Sequence, residues 1–116
     1  MQPKALKLLE DMRDAAAFIV ESTHNFSEDA YLQHRMLRQS TERNFEIIGE
    51  AMRRLTQQDA ATASQISGYV QIIAFRNILI HGYDQIDHAL VWQVIRRDLP
   101  VLLAEVSVLL RTPLSP

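Results

Sequence analysis

The sequence predicts an all-α protein, folded as one up-and-down bundle of four to five helices. Two observations carry this prediction. Gly and Pro are scarce, at 3 and 4 of 116 residues, and apolar residues recur at three- and four-residue steps along most of the chain. Scarce Gly and Pro favour long regular elements over the many turns of an all-β fold. The spacing is that of amphipathic helices. We expect a single domain over residues 1–116, because a chain of this length holds one core.

Composition excludes several classes of protein. Hydrophobic residues make up 47% of the chain and charged residues 22%, which are ordinary globular proportions. The chain has no Cys, so disulfides and thiolate-ligated metal sites are excluded. Charged residues interrupt the first 20 positions and every longer apolar stretch, so we expect a cytoplasmic protein without a targeting signal or membrane span. The net charge of −2 indicates that any contact with nucleic acid is local, made by a few Arg residues in a cleft.

The first half of the chain predicts two long helices. The first should run from Pro3, which suits a first turn, to about His24. After a short break, Ser27 is a good N-cap for the second helix. Its apolar stripe continues to about Leu55 or Thr56, which gives about 28 residues and roughly 42 Å at 1.5 Å per residue. Such a long helix should extend from the bundle and be available to a partner.

A third helix is predicted from about Ser67 to His81. It follows a polar, Ala-rich segment, residues 57–67, in which we expect a loop with one helical turn. The third helix carries few polar residues, so we expect much of it to be buried. Gly82 stands where a left-handed residue would end the helix.

A last helix is predicted from its N-cap, Asp87, to about Leu110. Pro100 lies inside this run and should kink the helix, because its ring clashes with the backbone one turn earlier. Residues 111–116 contain two further prolines and should form a frayed tail.

The third helix ends in a group of strongly polar side chains. Arg76, Asn77 and His81 lie within an otherwise apolar run, where burying an unpaired polar group costs several kcal/mol. Asn77 and His81 are four residues apart and share a face. Arg76 and His81 are five apart, about 140° around an ideal helix. They converge only if the helix relaxes at Gly82 or if a second subunit supplies part of the site. Tyr83 follows at a position where its hydroxyl can be exposed.

Arg and His without a cluster of carboxylates suit one reaction, RNA cleavage without a metal. The His81 imidazole can take the proton from a ribose 2′-hydroxyl, since its pKa lies near neutrality. The Arg76 guanidinium can grip the phosphate at two points and stabilise charge that develops on phosphorus. Asn77 can orient the His81 imidazole or the phosphate. Acid and base catalysis need two groups, which two His81 side chains of a homodimer would provide.

The motif at residues 76–83, with the pattern Arg-Asn-x3-His-x-Tyr, resembles that of the HepT-like toxins of the HEPN superfamily. Two further segments support the resemblance, which extends over about residues 4–111. Residues 42–51 resemble the second-helix motif of that family, with Ile47, Gly49, Glu50 and Ala51. The pairs Val91-Trp92 and Leu99-Pro100, with Asp98, resemble its last helix.

The resemblance implies a helical bundle that forms a homodimer, or a higher oligomer, with an RNase site at the interface. Arg76, Asn77 and His81 correspond to the catalytic residues of the family, and no cofactor or metal is implied. The implied function is an endoribonuclease toxin that leaves a 2′,3′-cyclic phosphate on its RNA substrate. The implied partner is an MntA-like minimal nucleotidyltransferase, an antitoxin that transfers AMP to the motif tyrosine, here Tyr83.

Structural interpretations of the motif stay open beside the catalytic one. Arg76 could form only a salt bridge to Glu46 or Glu50 of the long helix. Glu42, Glu46 and Glu50 share one face, which is usually a solvated stripe paired with Arg43, Arg53 or Arg54. The less common alternative is that Glu46 or Glu50 faces the cleft and orients Arg76. Asn77 could make only a core or capping hydrogen bond. His81 could be a histidine with satisfied hydrogen bonds at the helix C-terminus, where the helix dipole favours it. Tyr83 could only pack on the last helix. Arg43 and Asn44 form a second Arg-Asn pair without a following His, and we predict a surface position for them.

Two other functions for the whole chain also remain open. One is a non-catalytic docking subunit for a nucleotidyltransferase, in which the motif only receives AMP or binds a nucleotide. The other is a purely structural dimerisation bundle. A metal site is not predicted, because the other three histidines lack metal-binding spacing; these are His24, His34 and His88.

Overall fold

The computed structural model describes residues 2–111, and the regular structure within them is entirely helical. The predicted all-α class is confirmed, while the predicted tail at 112–116 lies outside the described residues. The helices are α1 (Pro3–Thr23), α2 (Glu28–Gln33), α3 (Arg35–Gln58), α4 (Ala60–Ala63), α5 (Tyr69–His81), α6 (His88–Gln93) and α7 (Leu99–Arg111). A 3₁₀ turn (Tyr83–Gln85) precedes α6, and a π-helical turn (Val94–Asp98) joins α6 to α7.

The core forms where α1 packs against both α3 and α7, and α5 packs against α3. Fully buried side chains from these helices include Leu9, Met12, Ile19, Ile48, Met52, Leu55 and Val106. The central position of α3 matters for the site, because α3 is the main support for α5. Within residues 2–111, no helix combines the length and the apolar character that crossing a membrane requires.

The prediction of a single long second helix is wrong, because the chain forms two helices, α2 and α3, that are separated at His34. The backbone of His34 is extended, with φ −106° and ψ 90°, and its Nδ1 caps α3 by accepting a hydrogen bond from the Leu37 N–H at 3.0 Å. The break lets α2 turn so that Tyr31 is fully buried, with its ring 5.2 Å from that of Trp92. Aromatic packing between distant segments therefore overrides the continuous helical pattern.

The helix caps agree with prediction. Ser27 Oγ accepts from the Ala30 N–H at 3.1 Å, and the Asp87 carboxylate accepts from the Leu90 N–H at 3.1 Å. The predicted disturbance before Pro100 is also present, as the wider π-helical turn at Val94–Asp98. Proline has no N–H to donate and its ring crowds the preceding turn, so the helix widens there.

The predicted burial of the third helix is wrong. Within α5 only Leu79 is fully buried, while Val70 and Ile78 are 57% and 56% exposed. The reason is that α5 packs chiefly against α3, which leaves its opposite face open. The left-handed residue predicted at Gly82 is also absent. Gly82 has φ −113°, and its N–H bonds to the Ile78 carbonyl at 2.8 Å before the 3₁₀ turn begins.

Candidate functional site

The candidate site begins where α5 crosses α3 at Gly49. The backbone of Gly49 lies directly beneath Arg76, so a Cβ built at Gly49 would overlap Arg76 Cβ and would lie 2.7 Å from Arg76 Cγ. Glycine is therefore the residue that allows this close approach. The contact fixes the base of the Arg76 side chain and directs the guanidinium along α3.

The Arg76 side chain is 22% exposed and lies in a cleft between α1, α3 and α5. Its Nη1 donates to Asn77 Oδ1 at 2.9 Å, and its Nη2 lies 3.9 Å from Glu50 Oε1. The buried Nε has no hydrogen-bond partner among the described residues. A phosphate cannot reach this buried Nε. Among the described residues, Asn77 takes one donor of Nη1 and no group hydrogen-bonds to Nη2, so the terminal nitrogens keep donors that can bind a phosphate oxygen.

Glu50 is engaged mainly by Arg53. Arg53 donates to both Glu50 oxygens, at 2.7 and 3.1 Å, and this hydrogen bonding lowers the pKa of Glu50, which stays ionised at neutral pH. Glu46 lines the same cleft and pairs with Arg43 at 3.5 Å. The structure therefore places both predicted supporting glutamates beside Arg76, and the ion pair of Arg76 with Glu50 is present but long.

Asn77 and His81 lie on the exposed face of α5, one turn apart. Within residues 2–111, no hydrogen bond or ion pair joins His81 to Arg76. Asn77 links the two residues. Its Oδ1 accepts a hydrogen bond from Arg76, and its side chain lies on the same face of α5 as His81. One protomer therefore does not bring the guanidinium and the imidazole together. Tyr83, in the 3₁₀ turn two residues beyond His81, is 77% exposed.

The same face of α5 carries an exposed apolar stripe. Val70, Ala74 and Ile78 recur every four residues, and all three are exposed. Helical geometry places Asn77 and His81 on the same arc as this stripe. Exposed apolar residues that surround two polar groups are typical of an interaction surface.

Sequence reasoning assigned no role to Gly49 and placed Arg43 on the surface only. Arg43 is exposed, as predicted, but it also lines the cleft of Arg76, as does Arg54. A glycine in the middle of a good helix is the signal that could have identified Gly49, because without a packing reason such a glycine costs about 1 kcal/mol relative to alanine.

The remaining histidines serve other contacts. His34 caps α3, and His88 Nδ1 lies 3.5 Å from Glu42 Oε2, where burial lowers the pKa of His88. In the part of the chain that the structure describes, no three His, Asp or Glu side chains lie close enough together to hold a metal ion.

Comparison with known proteins places the chain in a family. The model of the family described as "Ribonuclease HepT-like" matches residues 12–109. The chain is 30% identical over 100 residues to "Putative RNase MJ1380" of Methanocaldococcus jannaschii, covering 86% of this chain and 91% of that protein. It is 28% identical over 94 residues to "Probable ribonuclease HepT" of Thermococcus cleftensis, covering 81% and 84%.

A third relative is "Putative RNase TTE0752" of Caldanaerobacter subterraneus subsp. tengcongensis, with 26% identity over 103 residues, 89% of this chain and 91% of the relative. No solved structure matches the chain significantly. The family match spans the α3 segment with Gly49 and Glu50 as well as the motif at residues 76–83. The chain therefore belongs to the HepT-like ribonuclease family.

Proposed function

We propose that this protein is a metal-independent endoribonuclease whose site is completed by a second copy of the chain. Membership of a ribonuclease family supports the reaction class. The observation that carries the assignment is the largely buried Arg76 side chain in the cleft and the exposed His81 imidazole on another side of the same, otherwise apolar helix. These groups supply phosphate binding and proton transfer, and neither function requires a metal.

The reaction needs one base and one acid. One His81 imidazole takes the proton of a ribose 2′-hydroxyl, and the freed oxygen attacks the adjacent phosphorus. Arg76 stabilises the negative charge that develops on the non-bridging oxygens. A protonated imidazole, the His81 of a second protomer, gives its proton to the departing 5′-oxygen. The products are a 2′,3′-cyclic phosphate and a 5′-hydroxyl.

The homodimer in this proposal uses the exposed face of α5. A protomer offers one His81, on a different side of the helix from Arg76, and the apolar stripe of Val70, Ala74 and Ile78 surrounds it. A two-fold interface pairs the same surface of both copies. Antiparallel α5 helices crossing at Ile78 would place the two His81 positions about 9 Å apart along the helix axes, at 1.5 Å per residue. That spacing leaves room for a phosphodiester between them.

The test of the proposed reaction is RNA cleavage in EDTA. The wild type should cut RNA as fast with EDTA as without it. Arg76→Ala should cut about 10²- to 10³-fold more slowly than the wild type, because it removes one preorganised group that stabilises the transition state. Arg13→Ala is the matched control, since Arg13 is partly exposed on α1 and its ion pair among the described residues is with its neighbour Asp14. Equal rates for Arg76→Ala and the wild type, or no cleavage by the wild type, would refute the assignment.

We further propose that the protein is the toxin of a toxin–antitoxin pair, restrained by an MntA-like nucleotidyltransferase that modifies Tyr83. The exposure of Tyr83 next to His81 supports this assignment. The phenolic oxygen of Tyr83 would attack the α-phosphorus of ATP, lose its proton and release pyrophosphate. The added phosphodiester would place a negative charge next to His81, where it would compete with RNA.

Mass spectrometry tests this proposal after the protein is mixed with the transferase and ATP. We expect the mass of one or more AMP groups on the wild type and on Tyr69→Phe, the control, and no gain on Tyr83→Phe. A gain that persists in Tyr83→Phe would contradict the assigned residue. A gain at Tyr83 in a protein that never cuts RNA would favour the docking subunit instead.

A further inference from the structure

Three guanidinium groups approach the carboxylate of Glu50, and they do so at different distances. Arg53 and Arg54 follow Glu50 on α3 by three and four residues, whereas Arg76 comes from α5. Arg53 donates from Nε to Oε1 at 2.7 Å and from Nη2 to Oε2 at 3.1 Å. Arg54 Nε lies 3.5 Å from Oε2, and Arg76 Nη2 lies 3.9 Å from Oε1. Both oxygens of Glu50 are therefore bound by the planar fork of Arg53, and the other two cations stay at longer range.

The gap between Glu50 and Arg76 is small enough to close. A charge-assisted hydrogen bond spans about 2.8 Å, so Glu50 Oε1 would need to move only about 1 Å toward Arg76 Nη2. The base of the Arg76 side chain cannot shift toward α3, because the backbone of Gly49 lies directly beneath it. A Glu50 carboxylate without the Arg53 fork is free to turn toward Arg76. The closed pair would occupy Nη2, the terminal nitrogen to which no described residue hydrogen-bonds.

We propose that Arg53 is a positioning residue of the ribonuclease site, which holds Glu50 away from Arg76 and so keeps Arg76 Nη2 available for the phosphodiester. The inference rests on the proposed function and names a residue that controls the phosphate-binding group of the same site. Arg53 acts through Glu50 and does not need to touch RNA. Glu50 in turn lies beside Arg76 in the cleft without taking its donors in a direct hydrogen bond.

An ordinary ion pair on a helix surface is the alternative interpretation of Arg53 and Glu50. Pairs three residues apart are common on exposed helices and contribute little to stability. Two features distinguish the present pair. Arg53 binds both carboxylate oxygens, and a competing cation from another helix, Arg76, stands 3.9 Å from the same carboxylate. The loss of an ordinary pair would not change the state of a residue on another helix, whereas the loss of this pair would.

Replacing Arg53 with Gln should raise KM for an RNA substrate about fivefold and leave kcat unchanged. The released Glu50 would pair with Arg76, and a partly exposed ion pair favours its closed form by a factor of about five at most. Only the open form binds the phosphate, so the apparent affinity falls by the same factor. RNA that has bound has already displaced Glu50, which is why kcat does not change. A structural role of Arg53, in which its loss moves Arg76 itself, would lower kcat instead.

Three further variants make this test specific. Glu50→Gln added to Arg53→Gln should restore the wild-type KM, because a neutral amide does not hold Arg76 as a carboxylate does. Arg54→Gln removes the same charge from beside the same carboxylate but leaves the Arg53 fork intact, so KM should rise less than about twofold. Arg53→Lys keeps the charge without the fork, so its KM should lie between those of the wild type and Arg53→Gln.

Denaturant unfolding measures the competition without RNA. The coupling between Glu50 and Arg76 is obtained from a double-variant cycle of Glu50→Gln and Arg76→Gln, once in the wild type and once in Arg53→Gln. The coupling should change the unfolding equilibrium constant by less than about twofold in the wild type and by about fivefold in Arg53→Gln. The difference is expected because the pair of Glu50 with Arg76 closes only when the Arg53 fork is absent.

The outcomes separate this proposal from the proposed function. If the wild type cleaves RNA while Arg53→Gln keeps the wild-type KM, the role of Arg53 is overturned and the ribonuclease assignment stands. If the coupling rises in Arg53→Gln but the wild type cuts no RNA, the competition for Arg76 is supported and the catalytic assignment fails. An equal coupling in both backgrounds, or an equal rise of KM in Arg54→Gln, would show a general effect of lost charge and overturn the role of Arg53.

Discussion

A one-to-one mixture of wild-type and His81→Ala chains should retain about a quarter of the wild-type rate, because catalysis needs both an acid and a base. If the two His81 imidazoles of a dimer supply these roles, only dimers with two intact chains are active. After random exchange of subunits, the fraction of dimers with two intact chains equals the square of the fraction of wild-type chains. Independent protomers would instead lose activity in proportion, and the mixture would keep half of it.

The unmixed His81→Ala protein should lose about 10²- to 10⁴-fold in rate, the usual contribution of acid and base catalysis by positioned side chains. The structure motivates this large effect, since His81 is exposed at the end of α5 and makes no described contact that would make it important for stability. Thermal unfolding of the variant should therefore match that of the wild type, which separates a catalytic loss from a folding defect.

The measurement is the initial rate of RNA cleavage over a series of mixing ratios, after chains have exchanged. His24→Ala is the matched control, because His24 is also exposed and follows the end of a long helix, α1. Mixtures with His24→Ala should keep the full rate at every ratio. A rate that falls linearly with the fraction of His81→Ala chains would show that one protomer holds a complete site. Light scattering that finds only monomers would contradict the dimer altogether.

Local chemistry made the helix ends predictable. Ser27 and Asp87 act through side chains that bond to N–H groups three residues ahead, so a few residues of sequence suffice to identify them. The break at His34 was not predictable in this way. It depends on Tyr31 finding Trp92, about sixty residues further along the chain, and no local pattern reports that contact.

The exposure of α5 shows a second limit of sequence reasoning. Apolar residues on every side of a helix predict burial, but they do not say whether a neighbour from the same chain covers each side. In α5, one side packs against α3 and the other keeps Val70 and Ile78 exposed around His81. The polar motif itself was predictable from residue types and spacing, whereas the direction of Arg76 depends on the packing of α5 against α3.

Gly49→Ala is expected to destabilise the fold by about 1–3 kcal/mol, the usual cost of overpacking a close contact. The added Cβ would overlap Arg76 Cβ and force α5 away from α3. Most Gly to Ala changes inside helices stabilise the fold instead, since alanine is favoured over glycine in a helix by about 1 kcal/mol. Activity should fall further than stability, because the displaced α5 carries Arg76 and His81 away from their positions.

Denaturant unfolding of single and double variants tests this contact as a cycle. Arg76→Gly removes the Cβ that Gly49→Ala would meet, so the double variant should recover part of the lost stability. Arg76→Ala keeps that Cβ and relieves only the contact at Cγ, 2.7 Å from the added atom, so its rescue should be smaller. Equal rescue by both would show that the clash lies beyond Arg76 Cβ. A Gly49→Ala protein more stable than the wild type would show that α3 and α5 do not approach this closely.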